Sequence, residues 1–211
     1  MPGDPGWMKT YYHAPHEKDS KYKGVFRNIM IASIAGRLNV VSSDAKTDDG
    51  RPLEQERWMW SPADGLITDI SEKTGPEELR LENTSYTKVS VFMNVFNCHV
   101  NRIPTSGKIE EIFYKPGKFL NASLDKASED NERNYYKLKD NHGNDIVVVQ
   151  IAGLVARRIV CETNKDQTLN QGDRIGMIRF GSRADVYYEN YEPLVKIGQT
   201  AISGETLLAK R

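Results

Sequence analysis

Short apolar runs separated by turn-forming residues dominate the chain from residue 58 onward. Segments rich in Val, Ile and Phe at this spacing are typical of β-strands, and the Gly, Asn, Asp and Ser clusters between them are typical of turns. Residues 121–134 carry a helical pattern, with Asp and Glu scattered among Ala and Leu. The pattern therefore predicts a mainly β barrel or sandwich with one short internal helix. The predicted strands are residues 88–96, 109–114, 145–152, 156–161, 174–180 and 185–188.

The N-terminal part of the chain has a different pattern. Residues 25–41 place apolar side chains at helical spacing, with Lys and Arg near them or on the opposite face, which predicts an amphipathic helix. Such a helix either lies in a membrane interface or packs on the protein's own core, and the pattern favours neither. Residues 42–56 are polar and predict a linker. We therefore divide the chain into an N-terminal segment with its linker, residues 1–57, and a β domain, residues 58–211.

Charge narrows the range of partners. The 211 residues carry 29 Lys and Arg against 29 Asp and Glu, so the formal net charge is zero, and the sequence pI is about 6.9. A nucleic-acid-binding protein usually shows a strong basic excess, so we expect no nucleic-acid partner. No apolar stretch reaches the roughly 18–20 residues that a membrane-spanning helix needs, so a spanning anchor is not expected either.

The two cysteines, Cys98 and Cys161, each lie in an apolar run. Two cysteines allow one disulfide, but small buried thiols in a reducing compartment are the more common interpretation, and we adopt it. Neither cysteine has the Cys/His spacing of a zinc site, so no metal is predicted.

The Gly-Ser pair at residues 181–182 stands between two predicted strands and has the chemistry for backbone self-cleavage. Attack of a serine hydroxyl on the preceding carbonyl needs a small residue there, and Gly181 can adopt backbone conformations closed to other residues. The hydroxyl of Ser182 also needs a base, because it is a weak nucleophile. Of the four histidines, His99 alone directly follows a long apolar strand, where its ring can be held. A histidine at a strand end is more often structural, so the residues alone leave both interpretations open.

Four segments together resemble one known family. They are Ser-Pro-Ala-Asp-Gly at residues 61–65, Phe-Met-Asn-Val-Phe-Asn-Cys-His-Val-Asn-Arg-Ile-Pro at 92–104, Arg-Phe-Gly-Ser-Arg at 179–183 and Gly-Gln-Thr-Ala-Ile-Ser-Gly-Glu-Thr at 198–206. In this order they resemble the phosphatidylserine decarboxylase proenzymes of the short bacterial type. The resemblance covers residues 60–209 without a large gap. It is not expected to extend to the N-terminal region, where the hydrophobic segments typical of these relatives are interrupted by charge.

The resemblance implies a self-processing, pyruvoyl-dependent enzyme. In the family the Gly-Ser bond is cut by the protein itself, which here would leave residues 1–181 as the β subunit and residues 182–211 as the α subunit. The serine becomes an N-terminal pyruvoyl cofactor, whose carbonyl forms a Schiff base with the amine of phosphatidylserine and accepts the electrons released with carbon dioxide. The expected reaction therefore converts phosphatidylserine to phosphatidylethanolamine and carbon dioxide in phospholipid biosynthesis.

The resemblance also assigns roles within the site. Ser182 would be the nucleophile and the pyruvoyl precursor, Gly181 would supply the attacked carbonyl, His99 would be the base, and Asp64 would be the carboxylate that orients it. Some longer relatives carry a second histidine where this chain has Arg102. Any role shared between two histidines would therefore fall to His99 alone, to Arg102 or to water.

Other matching segments are candidates for substrate contacts. Residues 115–123 predict a loop that enters a helix, an arrangement that holds anions on backbone amides. The guanidinium group of an arginine can bind a phosphate or carboxylate through two hydrogen bonds. Because side chains alternate along a strand, only one of the successive residues Arg157 and Arg158 is expected to face the site. Solvated charges or structural ion pairs explain such residues equally well. The candidate substrate-binding residues are Lys118, Asn121, Ser123, Arg157 and Arg158.

The turns at residues 61–65 and 170–176 resemble those of lipoyl-like, duplicated hybrid-motif β folds, which concerns fold and not chemistry. A non-enzymatic binding or carrier domain on such a scaffold is the alternative function, although it leaves unexplained why the Gly-Ser pair occurs with Asp64 and His99. A third interpretation keeps the enzyme and changes the lipid to an ether lipid carrying phosphoserine.

Peripheral attachment to the cytoplasmic side of the cell membrane is expected, because the implied substrate is a lipid and residues 25–41 carry charges that disfavour spanning a bilayer. After cleavage, the α and β subunits are expected to stay together as a heterodimer. The resemblance to the family also favours further dimerisation. The expected partners are therefore phosphatidylserine and an anionic membrane surface.

Overall fold

The computed structural model describes residues 58–122, 129–154, 158–179 and 181–211. The amphipathic helix predicted at residues 25–41 and the linker at residues 42–56 lie outside these ranges. Strands dominate the described residues, which also contain a short 3-10 helix at Glu77–Leu79. No helix in this part of the chain is both long and apolar enough to span a membrane.

The strands are short and follow one another closely. In chain order they are β1 (Trp58–Trp60), β2 (Gly65–Thr74), β3 (Ser85–Met93), β4 (Val100–Arg102), β5 (Gly107–Lys115), β6 (Arg133–Asp140), β7 (Asp145–Ile151), β8 (Ile159–Cys161), β9 (Thr168–Leu169), β10 (Arg174–Ile178), β11 (Ser182–Tyr188), β12 (Glu192–Pro193), β13 (Thr200–Ala201) and β14 (Leu207–Lys210).

One large sheet and two small ones organise these strands. The large sheet has the order β13-β2-β3-β11-β7-β6-β5-β9 and curls into a half-barrel. The small sheets have the orders β1-β14-β12 and β4-β10-β8, and neighbouring strands are antiparallel in all three. The predicted mainly β architecture is therefore confirmed, while the finer likeness to lipoyl-like hybrid-motif folds stays a prediction.

The main core covers one face of the large sheet, which we call the inner face. Alternate residues of β3, namely Val89, Val91 and Met93, are fully buried there. Alternation along a strand produces this pattern, because successive side chains point to opposite faces of a sheet. A smaller cluster combines Leu79 of the 3-10 helix with residues such as Tyr135 and Val147, which alternate with those of the main core in the same sheet.

Each predicted strand overlaps an observed one, and the change that concerns the Gly-Ser pair is in β11. The prediction began this strand at residue 185, but it begins at Ser182. Part of the strand predicted at 156–161 falls on residues 155–157, which lie outside the described residues, as does residue 180. The earlier start matters because it makes Ser182 the first residue of a central strand.

The helix predicted at residues 121–134 is wrong at both ends. Asn121 and Ala122 are not helical, and β6 already begins at Arg133. Residues 123–128 lie outside the described residues. The predicted entry of residues 115–123 into a helix stays a prediction, because residues 123–128 lie outside the described residues.

Charged side chains concealed β6 from the sequence pattern. Tyr136 and Leu138 alternate with Lys137 along this strand, and the two apolar side chains are fully buried. The ammonium group of Lys137 forms ion pairs with Glu110 and Asp145, each at 3.1 Å. Strands whose polar residues are paired across the sheet carry few consecutive apolar residues, so a search for apolar runs misses them.

The two cysteines have different environments. Cys98 is buried, as predicted, but Cys161 is exposed, so the prediction of two buried thiols is wrong for Cys161. Its strand, β8, lies at the edge of the sheet β4-β10-β8, which leaves one side of the strand uncovered. Both cysteines are free thiols and do not form a disulfide.

Candidate active site

The Gly-Ser pair lies at the start of β11. Ser182 is fully buried, and it lies directly opposite Met93 in the antiparallel pairing of β3 with β11. Its hydroxyl donates a long hydrogen bond to Sδ of Met93 at 3.9 Å. Gly181 has a φ of 68°, which lies in the left-handed region that favours glycine. The candidate nucleophile is therefore buried at the start of a strand, and the half-buried residue before it has a backbone conformation that favours glycine.

The carbonyl group of Gly181 packs directly against Gly153. A Cβ atom built on Gly153 would lie 1.5 Å from the carbonyl oxygen of Gly181 and 2.7 Å from its carbonyl carbon. No side chain fits between the two backbones, so a glycine at 153 is needed for this approach. The sequence pattern contained no signal for this role, because the contact depends on how β7 and β11 pair.

His99 lies just before β4 and is 1% exposed. Its Nδ1 atom lies 2.8 Å from the carbonyl oxygen of Asn97. We assign the proton to Nδ1, since the carbonyl can only accept, and this assignment leaves Nε2 as the basic nitrogen. The backbone carbonyl of His99 accepts a hydrogen bond from the N–H of Ile178 at 3.1 Å. This bond ties the histidine to β10, the strand that leads to Gly181.

Burial controls the charge of the candidate base. Desolvation lowers the pKa of His99 from 6.5 to about 4, while the hydrogen bond to Asn97 and the negative charge of Asp64 act in the opposite direction. His99 is therefore neutral near pH 7 and able to accept a proton.

Asp64 is held in the loop before β2. Its Oδ1 atom accepts a hydrogen bond from the backbone N–H of Ser203 at 2.9 Å. The hydroxyl of Ser203 donates to the carbonyl of Pro62 at 3.1 Å, and the N–H of Arg102 donates to the same carbonyl at 2.9 Å. The loop thus lies between β4 and the C-terminal turn. Its carboxylate is close enough to His99 to favour the protonated ring, as an orienting carboxylate would.

The side chain of Arg102 has a structural contact. Its Nη1 atom donates to the carbonyl oxygen of Gly172 at 2.6 Å. This bond joins the end of β4 to the turn before β10. This contact gives the guanidinium of Arg102 a structural role.

Lys118 and Asn121 lie in one loop, and both residues are exposed. Lys118 forms an ion pair with Asp130 at 2.9 Å. Asn131 is fully buried. Its Oδ1 accepts from the N–H of Leu120 at 2.8 Å, and its Nδ2 donates to the carbonyl of Ala152 at 2.9 Å. Asn131 thereby ties this loop to the residue before Gly153. Ser123 lies outside the described residues.

The two arginines predicted to meet the substrate are only partly described. Arg158 is exposed, and its carbonyl accepts a hydrogen bond from the N–H of Arg179 at 3.0 Å. Arg157 lies outside the described residues. No group of three His, Cys, Asp or Glu side chains that could hold a metal ion occurs in the part of the chain that the structure describes.

Comparison with known proteins identifies the family. The family model described as phosphatidylserine decarboxylase matches residues 40–209. The chain belongs to the phosphatidylserine decarboxylase family. It is therefore a carboxy-lyase, and the resemblance inferred from the four motif segments is confirmed.

Several relatives carry the name phosphatidylserine decarboxylase proenzyme. That of Pelagibacter ubique is 69% identical over 75% of this chain and 74% of the relative. That of Ruegeria pomeroyi is 58% identical over 95% of this chain and 96% of the relative. That of Cereibacter sphaeroides is 57% identical over 74% of this chain and 67% of the relative. The match to the Ruegeria protein extends into the N-terminal region, so the expectation that the resemblance stops near residue 60 is wrong.

Replacing Gly153 with Ala is expected to slow cleavage between residues 181 and 182 by about 10²-fold, because the added methyl group must displace the attacked carbonyl. The rate is measured by following the loss of the full-length chain by intact-mass spectrometry. Gly143→Ala is the control. The φ of 85° at Gly143 disfavours alanine, but a Cβ there meets nothing within 4 Å. Cleavage of Gly153→Ala at the wild-type rate would contradict the assigned contact.

The pH dependence of stability tests the burial of His99. Because the pKa of His99 falls from 6.5 to about 4 on folding, the unfolded chain binds a proton in this range that the folded chain does not. Stability should therefore be highest above pH 6.5 and fall as the pH drops toward 4, by up to about 1.4 kcal/mol per pH unit.

The comparison is made between Ser182→Ala and the double variant Ser182→Ala/His99→Gln, which are both expected to remain uncut. The free energy of unfolding of each is measured by denaturant titration from pH 4 to pH 8. The difference between the two curves isolates His99 from the other titrating groups. Parallel curves would show that His99 takes up its proton equally in the folded and unfolded states.

Proposed function

We propose that this chain is a self-processing, pyruvoyl-dependent decarboxylase that converts phosphatidylserine to phosphatidylethanolamine and carbon dioxide. The observation that carries the proposal is the Gly-Ser bond itself, with Ser182 fully buried, Gly181 in the left-handed region and its carbonyl against Gly153. His99 supports the proposal further, because burial keeps its ring neutral while the negative charge of Asp64 acts on it. The names of the relatives, which are phosphatidylserine decarboxylase proenzymes, support the substrate and the processing.

Self-cleavage starts with attack of Oγ of Ser182 on the carbonyl carbon of Gly181, while His99 takes the hydroxyl proton. The C–N bond breaks, which leaves an ester on Oγ and a free α-amine. Loss of the α-proton of Ser182 then breaks the Cβ–Oγ bond and releases Gly181 as a carboxylate. Addition of water to the resulting enamine, through its imine form, releases ammonia and leaves the pyruvoyl group. No oxidant or reductant is needed in this sequence.

The surroundings of Ser182 fit a pyruvoyl group. Its side chain is fully buried on the inner face, beside the thioether of Met93. The pyruvoyl carbonyl supplies an electron sink by condensing with the primary amine of the substrate. In the mature protein, His99 would hold or deliver protons next to this carbonyl, and Asp64 would keep its ring oriented.

Five residues remain our proposed contacts for the anionic groups of the substrate. The exposure of Lys118, Asn121 and Arg158 supports this role, because solvent-facing side chains can reach a lipid head group. Asn131 adds a connection, since it ties the loop of Lys118 to the backbone next to Gly153. The full set is Lys118, Asn121, Ser123, Arg157 and Arg158.

Peripheral attachment to the cytoplasmic side of the cell membrane is also part of the proposal. Three exposed apolar side chains support it, because each belongs to a segment next to the Gly-Ser bond. Phe96, 69% exposed, lies between Met93 and His99; Leu154, 53% exposed, follows Gly153; and Leu120, 38% exposed, is held by Asn131. Their burial in a bilayer would bring the site to its lipid substrate.

Intact-mass spectrometry under denaturing conditions tests the processing. The wild-type chain should give one fragment ending at Gly181 and one beginning with a pyruvoyl group in place of Ser182. Ser182→Ala should remain a single chain without decarboxylase activity. Ser90→Ala, which alters another fully buried serine of the same sheet, should still be cut. A wild-type chain that stays intact on long incubation, or a Ser182→Ala chain that splits at this bond, would overturn the proposal.

Membrane attachment is tested by sedimentation with vesicles of phosphatidylserine and phosphatidylcholine. The double variant Phe96→Ser/Leu154→Ser should bind about ten-fold more weakly than the wild type, because two apolar side chains no longer enter the bilayer. The matched control is Leu194→Ser/Leu207→Ser, which changes two exposed leucines of the β1-β14-β12 region. Equal losses in both variants would argue against attachment through the surface around the Gly-Ser bond.

A further inference from the structure

The hydrogen-bond acceptor of the candidate nucleophile is a sulfur atom. The hydroxyl of Ser182 donates to Sδ of Met93, and both residues are fully buried on the inner face. A thioether is a weak acceptor compared with a carbonyl or carboxylate oxygen. The contact is fixed by strand register, because Ser182 and Met93 lie opposite each other.

A chain of buried hydrogen bonds fixes this sulfur from the other side. The Nδ2 atom of Asn101 donates to Sδ of Met93 at 3.7 Å. The Oδ1 atom of Asn101 accepts from Nε2 of Gln150 at 2.9 Å, and Oε1 of Gln150 accepts from the hydroxyl of Tyr136 at 2.7 Å. All of these side chains are fully buried. We call the set Tyr136, Gln150, Asn101 and Met93 the buried relay.

The buried relay crosses a core made otherwise mostly of Val, Ile, Leu and Ala. Buried polar groups are unfavourable unless each has a hydrogen-bond partner. Apolar side chains of similar volume at these positions would therefore stabilise the fold equally well. The relay draws its members from β3, β4, β6 and β7, and its last hydrogen bond reaches Ser182. The arrangement therefore points to a role in positioning the serine hydroxyl.

We propose that Met93 is a positioning residue for self-cleavage and that Asn101 holds its sulfur in place. This inference rests on the proposed function. Before cleavage, the sulfur orients Oγ of Ser182 but accepts too weakly to compete with His99 for the hydroxyl proton. A stronger acceptor at this place would hold the hydroxyl back from the carbonyl of Gly181.

The same sulfur also suits the product of cleavage. When the Cβ–Oγ bond of Ser182 breaks, Oγ leaves with the carboxylate of Gly181, and Cβ becomes a methyl group. A polarizable thioether packs well against a methyl group, whereas an amide or carboxylate at 93 would lose the hydrogen bond from the Ser182 hydroxyl while it stays buried. Methionine at this position therefore matches the serine before cleavage and the apolar group after it.

The test compares self-cleavage of the wild type, Met93→Leu, Asn101→Leu and the double variant. Each is made as the full chain, and the rate constant is measured by intact mass together with the thermal midpoint. Met59→Leu, which changes an equally buried core methionine in β1, is the control. Hydroxylamine is added in parallel, because it cleaves an accumulated ester at Ser182 and so reports whether the first step has occurred.

Met93→Leu is expected to cleave about ten-fold more slowly than the wild type, since leucine keeps the volume and loses the acceptor. Its thermal midpoint should match that of Met59→Leu, and hydroxylamine should not speed its cleavage. Asn101→Leu should also be slow, and the double variant should be no slower than the slower single variant, because both act through one sulfur. If Asn101→Leu does not fold, Met93→Leu decides alone.

Self-cleavage of Met93→Leu at the wild-type rate would overturn the inference and leave the proposed function intact. An equal slowing of Met59→Leu, or rapid release of the α subunit from Met93→Leu by hydroxylamine, would also overturn it. Equal slowing of Met59→Leu would indicate general destabilisation, and release by hydroxylamine would indicate a block after the ester has formed. A wild-type chain that never forms a pyruvoyl group would remove the proposed function, and this inference with it.

Discussion

The antiparallel pairing of β11 with its two neighbours is the constraint on which the rest of the site depends. On one side, β3 sets Met93 opposite Ser182; on the other, β7 pairs Ile151 with the next residue of β11 and leads directly to Gly153. Because side chains alternate along a strand, a slip of one residue would turn the serine to the opposite face of the sheet. The same slip would remove the Gly181 carbonyl from its place against Gly153. Register alone thus aligns the hydroxyl, its sulfur acceptor and the carbonyl group.

Burial separates two kinds of polar group across this sheet. The side chains linked to Ser182 through Met93 include the neutral amides of Asn101 and Gln150. Full charges lie on the residues that alternate with them: Nε of Arg183 pairs with Asp185 at 2.8 Å, although Arg183 directly follows the serine. A buried charge without a partner is unfavourable, so this pairing keeps a guanidinium close to the site while satisfying it within the sheet.

The sequence could predict those parts of the fold and site that depend on local pattern or on motifs. Val-rich strands such as β3 and β7 and the Gly-Ser pair belong to this class. The roles of Gly153 and Met93 depend on which strands become neighbours and in what register, and no local pattern carries that information. β6 was missed because Lys137 is paired across the sheet and interrupts the apolar run. The exposure of Cys161 follows from an edge strand, which is again a property of sheet order.

The position of β11 has a consequence for how a cleaved molecule unfolds and refolds. The segment that starts at Ser182 contributes β11, β13 and β14, which pair with β3, β7, β2 and β1 of the preceding segment. In an uncut chain these strands find their partners by intramolecular closure. Two separate chains would have to meet first, so their unfolding midpoint would rise with protein concentration and refolding after dilution would follow second-order kinetics. Cutting the bond therefore converts folding from an event that each chain completes alone into one that depends on encounter.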